Sequence, residues 1–400
     1  MVKKSKKSTS EYSDITQHEL QALTQEYNLA DAHTHQSQSL SQKKIVERLP
    51  KLWYEAEKLK QKELDNRFIK AFFTFHKQKT AIKTPSLLVY AASIAMAIFA
   101  NYFKKRNLSV SLITPCFDNL HDLLKNSDVR LEPLKEEWLH NPEHIYDNLK
   151  KNIKTDVIFI VSPNNPTGFE LMGPGDQNKI RYKEIIRYAK DYNKILAFDF
   201  CFYSFVLPDS GIKMFDVYDL LESSGVDYLA VEDTGKTWPL QDAKIALIKT
   251  NKRLYEDIYN LHTAYLLNVS PFILNFVTEY IKDSIRDRCK SIYSLLGRNR
   301  EIAKKVMKGS ILEFQEPQSA VSVAWFKIKD PKIKATELQE YILKKKQVYV
   351  LPGTYFFWDD RSKGEHFIRV ALARNTKIFE PAIKLLREAV DDYMKIFLRS

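Results

Sequence analysis

Three stretches of the 400-residue chain combine the residue types that chemistry needs, and each directly follows an apolar run. Ser162-Pro163-Asn164-Asn165-Pro166-Thr167-Gly168 follows Val157–Val161, and Asp199 closes the run from Ile195 to Phe198. Glu232-Asp233-Thr234-Gly235-Lys236-Thr237-Trp238-Pro239 follows Tyr228–Val231. Taken singly, each has a plain explanation. Asn-Pro-Thr-Gly makes a turn, Asp199 can cap a helix and Lys236 can be a surface lysine. In this order and spacing they are more specific, because an open α/β sheet collects its ligands outside the carboxyl ends of its strands.

The elements that must carry these groups are legible too. Short apolar runs at Leu87–Tyr90, Val110–Thr114, Val157–Val161, Ile195–Asp199, Tyr228–Val231 and Lys244–Ile248 alternate with helical stretches, notably near 176–193 and 212–224. Alternation over about 170 residues predicts an α/β fold with a mainly parallel sheet and helices on both faces. Ahead of it, Ile45, Leu49, Leu52, Trp53, Ala56 and Leu59 recur at threes and fours, an amphipathic helix pattern from Gln42 to about Lys77. Beyond Lys252, long helical stretches run to about Lys308; strands at Val321–Ile328, Val348–Leu351 and His366–Leu372 and a closing helix from about Lys377 to Phe397 follow. The expected organisation is an N-terminal lid segment 1–40, a large α/β domain at 81–299, and a smaller α+β domain built from 41–80 and 300–400.

Composition excludes several classes. Only 10 glycines occur where average usage predicts about 28, and none precedes Gly168. No glycine-rich dinucleotide loop opens the chain, and no G-x-x-x-x-G-K-[ST] loop occurs in it. The net charge of +12 begins with Lys3, Lys4, Lys6 and Lys7 and is otherwise dispersed as mixed charge. Without a clustered basic face and interleaved aromatics, nucleic-acid binding is not expected. Cys116, Cys201 and Cys289 are odd in number and lack C-x-x-C spacing, so neither a disulfide framework nor a metal site is expected. The polar N-terminus lacks the apolar core of a signal peptide. Thr84–Phe103 is 20 residues without a charge, but Pro85, Ser86, Ser93 and Asn101 dilute it. It reads as a buried strand entering a helix, so no membrane span and a cytoplasmic location are expected.

On Asn164–Gly168, Asp199, Lys236, Leu351-Pro352-Gly353 and Ile368-Arg369-Val370-Ala371, nearly the whole chain resembles the fold-type I pyridoxal-phosphate (PLP) enzymes of the aspartate aminotransferase superfamily. The resemblance implies a large domain with a seven-stranded sheet, a smaller α+β domain, and PLP held as a Schiff base by Lys236, which later serves as general base. Asp199 would keep the pyridinium nitrogen protonated so that the ring acts as an electron sink. Asn165 would donate to the ring's phenolic oxygen, and Phe117 would stack on the ring. Ser93 and the amides opening its helix would take the phosphate, with Thr234 and Lys244 as further candidates. Arg369 would clamp a substrate α-carboxylate. Active sites of this superfamily are shared across a two-fold interface, which implies a homodimer.

A narrower resemblance concerns the reaction. Asn28-Leu29-Ala30-Asp31-Ala32-His33, the Lys44–Trp53 run, Phe117-Asp118-Asn119 and Glu232–Pro239 look like the PLP- and O2-dependent L-arginine hydroxylases/oxidases of guanidino-amino-acid natural-product pathways. That family uses dioxygen without metal or flavin. It converts L-arginine to 4-hydroxy-2-oxoarginine and 2-oxoarginine, or to a dehydroarginine, releasing ammonia and hydrogen peroxide. By this resemblance Thr16 and Glu19 sit on a lid over the substrate, and Asp233 binds the guanidinium with Glu19. Asp31 belongs to the substrate site, and His33 serves the hydroxylation branch by orienting water or shuttling a proton. The plain readings are Glu19 as a surface acid and His33 as a turn histidine.

The chain also departs from these patterns. Phe202 stands where aminotransferases place a tyrosine near the phenolic oxygen, and Cys201 stands where the oxidases use a serine. A thiol is the weaker donor, which bears on the product ratio. Tyr203 replaces a basic residue. Lys244 replaces the aminotransferases' phosphate-binding arginine, though the oxidases share the lysine. Ala91 and Ala92 precede Ser93 where hydroxyl residues are common. An aminotransferase or PLP-dependent cyclase acting on a basic amino acid is the alternative reading. A regulator that has lost catalysis is disfavoured by the intact Lys236, Asp199, Asn165 and Arg369.

Overall fold

The apolar runs become strands because other elements cover both of their faces. The computed structural model describes residues 14–173, 175, 178–206 and 212–398. In chain order its strands are β1 (Tyr27–Asn28), β2 (Ser86–Val89), β3 (Val110–Thr114), β4 (Leu131–Lys135), β5 (Val157–Val161), β6 (Ile195–Asp199) and β7 (Tyr228–Asp233). There follow β8 (Ala246–Thr250), β9 (Leu312–Gln315), β10 (Val323–Ile328), β11 (Val348–Tyr349), β12 (Leu351–Pro352) and β13 (Phe367–Ala371).

Seven strands form one sheet in the order β2-β8-β7-β6-β5-β3-β4. β8 runs antiparallel to both neighbours, and every other adjacent pair is parallel. This is the expected α/β architecture. Every position of β3, β5, β7 and β8 is buried, as a sheet with helices on both faces requires. A second, antiparallel sheet has the order β12-β13-β10-β9. Beside it, helices Ala335–Lys346 and Thr376–Phe397 pack on each other.

The single amphipathic pattern between Gln42 and about Lys77 becomes three helices, Leu40–Val46, Leu49–Glu57 and Gln61–Phe75. Pro50 explains one break: it lacks an N–H and sits in the first turn of the second helix, where that N–H has no partner anyway. These helices pack against Pro271–Asp287, with the Trp53 and Phe272 rings 5.3 Å apart. Thr84–Phe103 is the strand-turn-helix expected, β2 leading into helix Ala92–Lys105. Among the described residues no helix is long and apolar enough to cross a membrane.

Candidate active site

β5, β6 and β7 lie side by side, and their carboxyl ends deliver Asn165, Asp199 and Asp233 to one cavity of about 280 Å3. The loop joining β7 to β8 adds Lys236 and Lys244, and the first turn of helix Ala92–Lys105 adds Ser93. Phe117, directly ahead of helix Asp118–Asn126, contributes its ring, while Cys201 and Phe202 complete the wall behind Asp199. Thr16, Glu19 and His33 close the cavity from the N-terminal segment. Residues 1–13 of the expected lid lie outside the described residues.

Thr16 and Glu19 ride on helix Ile15–Ala22. Asp14 caps it by accepting the Gln17 N–H at 2.7 Å. Ile15 and Ala22 dock it into an apolar cluster with Trp325, Tyr349 and Phe356. His18 Nδ1 lies 2.7 Å from the Tyr349 hydroxyl, and burial pushes this imidazole down to about 4 against the pull of Asp14.

The lysine loop is pinched at its base. Thr234 Oγ1 donates to the Ile245 carbonyl at 3.0 Å and accepts the Ile245 N–H at 2.8 Å. Its hydroxyl is therefore engaged with the backbone, and Thr234 does not line the cavity as its expected phosphate role would need. Ser93 and Lys244 do line it, and Lys244 Nζ meets Asp242 at 3.2 Å. The Gly235 N–H donates to Asp233 Oδ1 at 2.8 Å. A Cβ at Gly235 would lie 2.8 Å from Lys244 Cδ and 3.3 Å from Asp233 Oδ1, so glycine is what lets these groups converge.

Asp199 accepts the Cys201 N–H at 2.8 Å. Burial raises its carboxyl above the usual range, with Asp233 adding to the rise and the Cys201 hydrogen bonds and the Lys236 charge opposing it. Such a carboxyl gains most from a cationic partner, which a protonated ring nitrogen supplies. Burial likewise pushes the Cys201 thiol well up, so it stays protonated beside Asp199.

Three of the expected substrate residues, Arg369, Glu19 and Asp31, are engaged with other side chains. Arg369, fully buried in β13, reaches Glu19 Oε1 at 3.0 Å and Asn165 Oδ1 at 3.3 Å and also donates to the Ala30 carbonyl. It backs the cavity through Glu19 and Asn165 rather than lining it. Asp31 is not turned toward a guanidinium site. Its Oδ1 lies 2.5 Å from His33 Nδ1, and its Oδ2 is met by His35 Nε2. Burial alone would raise Asp31, but hydrogen bonds from both histidines, with the charges of His33 and Arg374, hold it well below the usual carboxylate range. On its other side, His33 Nε2 stands 3.3 Å from Lys236 Nζ. Tyr203 lies in the core, its hydroxyl accepting from Gln78 Nε2 at 2.8 Å.

Sequence reasoning missed His35 and Arg374. Arg374 holds the N-terminal segment by donating to the carbonyls of Asn28 at 2.7 Å and His33 at 3.0 Å, and to that of Asp31. One signal for His35 existed: in Asp31-Ala32-His33-Thr34-His35 the titratable side chains recur at every second position, which would place all three on one side of an extended chain. Arg374 gave none, since its partners are backbone carbonyls more than 300 positions away.

The donor set fits PLP. A half-buried amine, a raised carboxyl, a ring wall, and a lysine with a helix start for an anion border one cavity together with Asn165. Comparison with known proteins agrees. Residues 58–384 match the aminotransferase class I and II family. A comparison with curated protein sequences finds no match. Among solved structures, MppP soaked with the product 2-ketoarginine is 28% identical with a TM-score of 0.80, covering 91% of this chain and 99% of its own. Aspartate aminotransferase from Thermus thermophilus with maleate superimposes with a TM-score of 0.74 at 14% identity, over 95% of this chain and 97% of its own. LysN, the α-aminoadipate aminotransferase of Thermus thermophilus complexed with N-(5′-phosphopyridoxyl)-L-leucine, gives 0.66 at 13% identity, over 78% of each chain. The chain belongs to the aminotransferase class I and II family, and is a PLP-dependent enzyme of that class.

Proposed function

We propose that the enzyme oxidises L-arginine with dioxygen, giving 4-hydroxy-2-oxoarginine, 2-oxoarginine or both, with release of ammonia and hydrogen peroxide. The observation that carries this reading is a convergence. Thr16, Glu19 and His33 of the N-terminal segment and Asp233 of β7 border the same 280 Å3 cavity as Lys236. An ordinary amino-acid side chain calls for no such set; a planar guanidinium with five donors does. The 28%-identical MppP structure, soaked with 2-ketoarginine, supports the same substrate class.

When bound, PLP supplies the electron sink that makes the Cα proton of an amino acid acidic. Asp199 would hold a proton at the ring nitrogen, Asn165 would donate to the phenolic oxygen, and Ser93 and Lys244 would hold the phosphate. Lys236 would hold the cofactor through its amine, and its Nζ would take the Cα proton. His33, 3.3 Å from Lys236 Nζ, takes that proton onward or orients water at the substrate side chain. Arg369 is the clamp for the α-carboxylate, and Glu19 and Asp233 receive the guanidinium. The working unit is a homodimer.

The second reading is an aminotransferase acting on a basic amino acid, favoured by the aminotransferases among the structural neighbours. An oxygen electrode separates the two. Consumption of O2 with L-arginine and no added 2-oxoacid supports the oxidase. Strict dependence on a 2-oxoacid under anaerobic conditions makes the enzyme a transaminase.

A further inference from the structure

Two imidazoles share one buried carboxylate beside the lysine. Asp31 is 3% exposed, and its two oxygens are divided: Oδ1 takes His33 Nδ1 at 2.5 Å and the His33 backbone N–H at 2.8 Å, while Oδ2 takes His35 Nε2. The segment carrying all three is fixed on both flanks. The Thr34 hydroxyl donates to the Trp238 carbonyl at 2.7 Å, and the His35 N–H donates to the Ala373 carbonyl at 3.0 Å. His35 also borders a polar side cavity of about 150 Å3 with Gln241 and Asp242, and His33 and Lys244 form the partition between it and the main cavity. The charged groups facing the pair are Asp31, Glu19, Asp242, Lys236, Lys244 and Arg374.

A carboxylate only accepts hydrogen bonds, so each imidazole must offer it an N–H. A neutral His33 then carries its proton on Nδ1 and presents the Nε2 lone pair to Lys236. A carboxylate free to rotate would not enforce this. Its second oxygen must be pinned, and His35 pins it.

We propose that His35 is a positioning residue: by holding the outer oxygen of Asp31 it fixes the tautomer and orientation of His33, so that His33 Nε2 accepts a proton from Lys236. This rests on the assignment of Lys236 and His33 as the proton-handling pair. It does not depend on which amino acid is oxidised, or on whether the oxidant is dioxygen. The polar side cavity keeps the outer face of His35 in contact with water, while Asp31 stays dry.

The test is 15N NMR of the ring nitrogens of His33 in the PLP-loaded enzyme without substrate, at a pH where imidazoles are neutral. The expected result is a proton on Nδ1 and a bare Nε2 in the wild type, and a proton spread over both nitrogens in His35→Ala. kcat of His35→Ala should fall on the order of tenfold with KM unchanged. His35→Gln, which can still donate an N–H to Asp31, should restore both. An unchanged His33 tautomer in His35→Ala overturns the proposal, even if kcat falls. Should His35→Ala fail to fold, Asp31→Asn is read instead: a proton moving to His33 Nε2 supports the proposal, and one remaining on Nδ1 overturns it. Absence of oxidase activity alongside the expected tautomers would sink the proposed reaction and leave this inference standing.

Discussion

The carboxylate of Glu19 lies 3.0 Å from the guanidinium of Arg369, an ion pair closed between the N-terminal helix and the antiparallel sheet. Each residue is expected to bind one end of the substrate, and here each binds the other. A substrate with an α-carboxylate and a guanidinium can replace both halves of this pair at once, whereas a neutral side chain replaces only one. On the proposed reading Glu19 would discriminate twice: it would attract a guanidinium, and it occupies Arg369 against amino acids that cannot compensate it. Glu19→Gln is expected to narrow the preference for L-arginine over norleucine by about ten- to a hundredfold in kcat/KM, the worth of a hydrogen bond to a charged group. Steady-state kinetics with both substrates checks it; an unchanged ratio means Glu19 has no part in selection.

Lys236 projects into the cavity from a loop whose shape is held by Thr234, Gly235 and Asp233. Lys236→Ala should abolish turnover of L-arginine and the visible absorbance of the bound cofactor, while stability changes by less than about 1 kcal/mol. Spectra of the PLP-reconstituted variant with a parallel melting curve decide it. Persistence of the absorbance band would move the cofactor's attachment elsewhere.

Glu170 is fully buried two residues beyond Gly168. Burial pushes its carboxyl up to about 7, against the Met172 N–H, the Ser162 hydroxyl and the Arg181 charge. Among the described residues its Oε2 has no hydrogen-bond partner. A carboxyl raised in the folded state binds its proton more tightly there than when unfolded. Its contribution is therefore complete below its unfolded value, near 4.5, and is lost as pH rises through about 7. Glu170→Gln should match or trail the wild type at pH near 4 and exceed it above pH 7, by up to about 3 kcal/mol. Denaturant unfolding at the two pH values tests this, and parallel pH profiles of the two proteins would rule it out.

Gly353 and Gly364 meet backbone to backbone. A Cβ at Gly364 would stand 2.3 Å from the Gly353 oxygen and 2.4 Å from Thr354 Cα, neither of which can move aside alone. Gly364→Ala should therefore cost at least about 1–3 kcal/mol, as overpacking of a tight contact does. A melting temperature equal to the wild type's would contradict this. Gly353 thus serves close approach as well as its expected turn after Pro352.

What the sequence disclosed follows a physical boundary. Lys236, Asp199 and Asn165 were legible because Asp199 ends an apolar run and the other two lie in the loops that follow one, and strand ends are where an α/β sheet places ligands. β4 was hidden because Glu132, Pro133 and Lys135 break its apolar pattern at the sheet edge. Lys249 disguised the register of β8: it is buried in mid-strand, its ammonium satisfied by the carbonyls of Ala81, Thr84 and Pro85. The roles of Arg369 and Arg374 were out of reach for another reason. Each is fixed by partners on other elements, and side-chain types along a chain do not say which carboxylate a distant cation will meet.

The loop between β7 and β8 carries both Lys236 and Lys244, and the strands that hold it are zipped in antiparallel register, Asp233 opposite Ala246. The spacing between Lys236 and Lys244 is thus a property of one hairpin. Thr16, Glu19 and Arg369 come from elsewhere, a terminal helix and a separate sheet. On the proposed reading, substitutions in those parts would change which amino acid is accepted while the Lys236–Lys244 spacing stays unchanged. Selection and chemistry would then be separable by mutation, the one in the terminal helix and second sheet, the other in the hairpin.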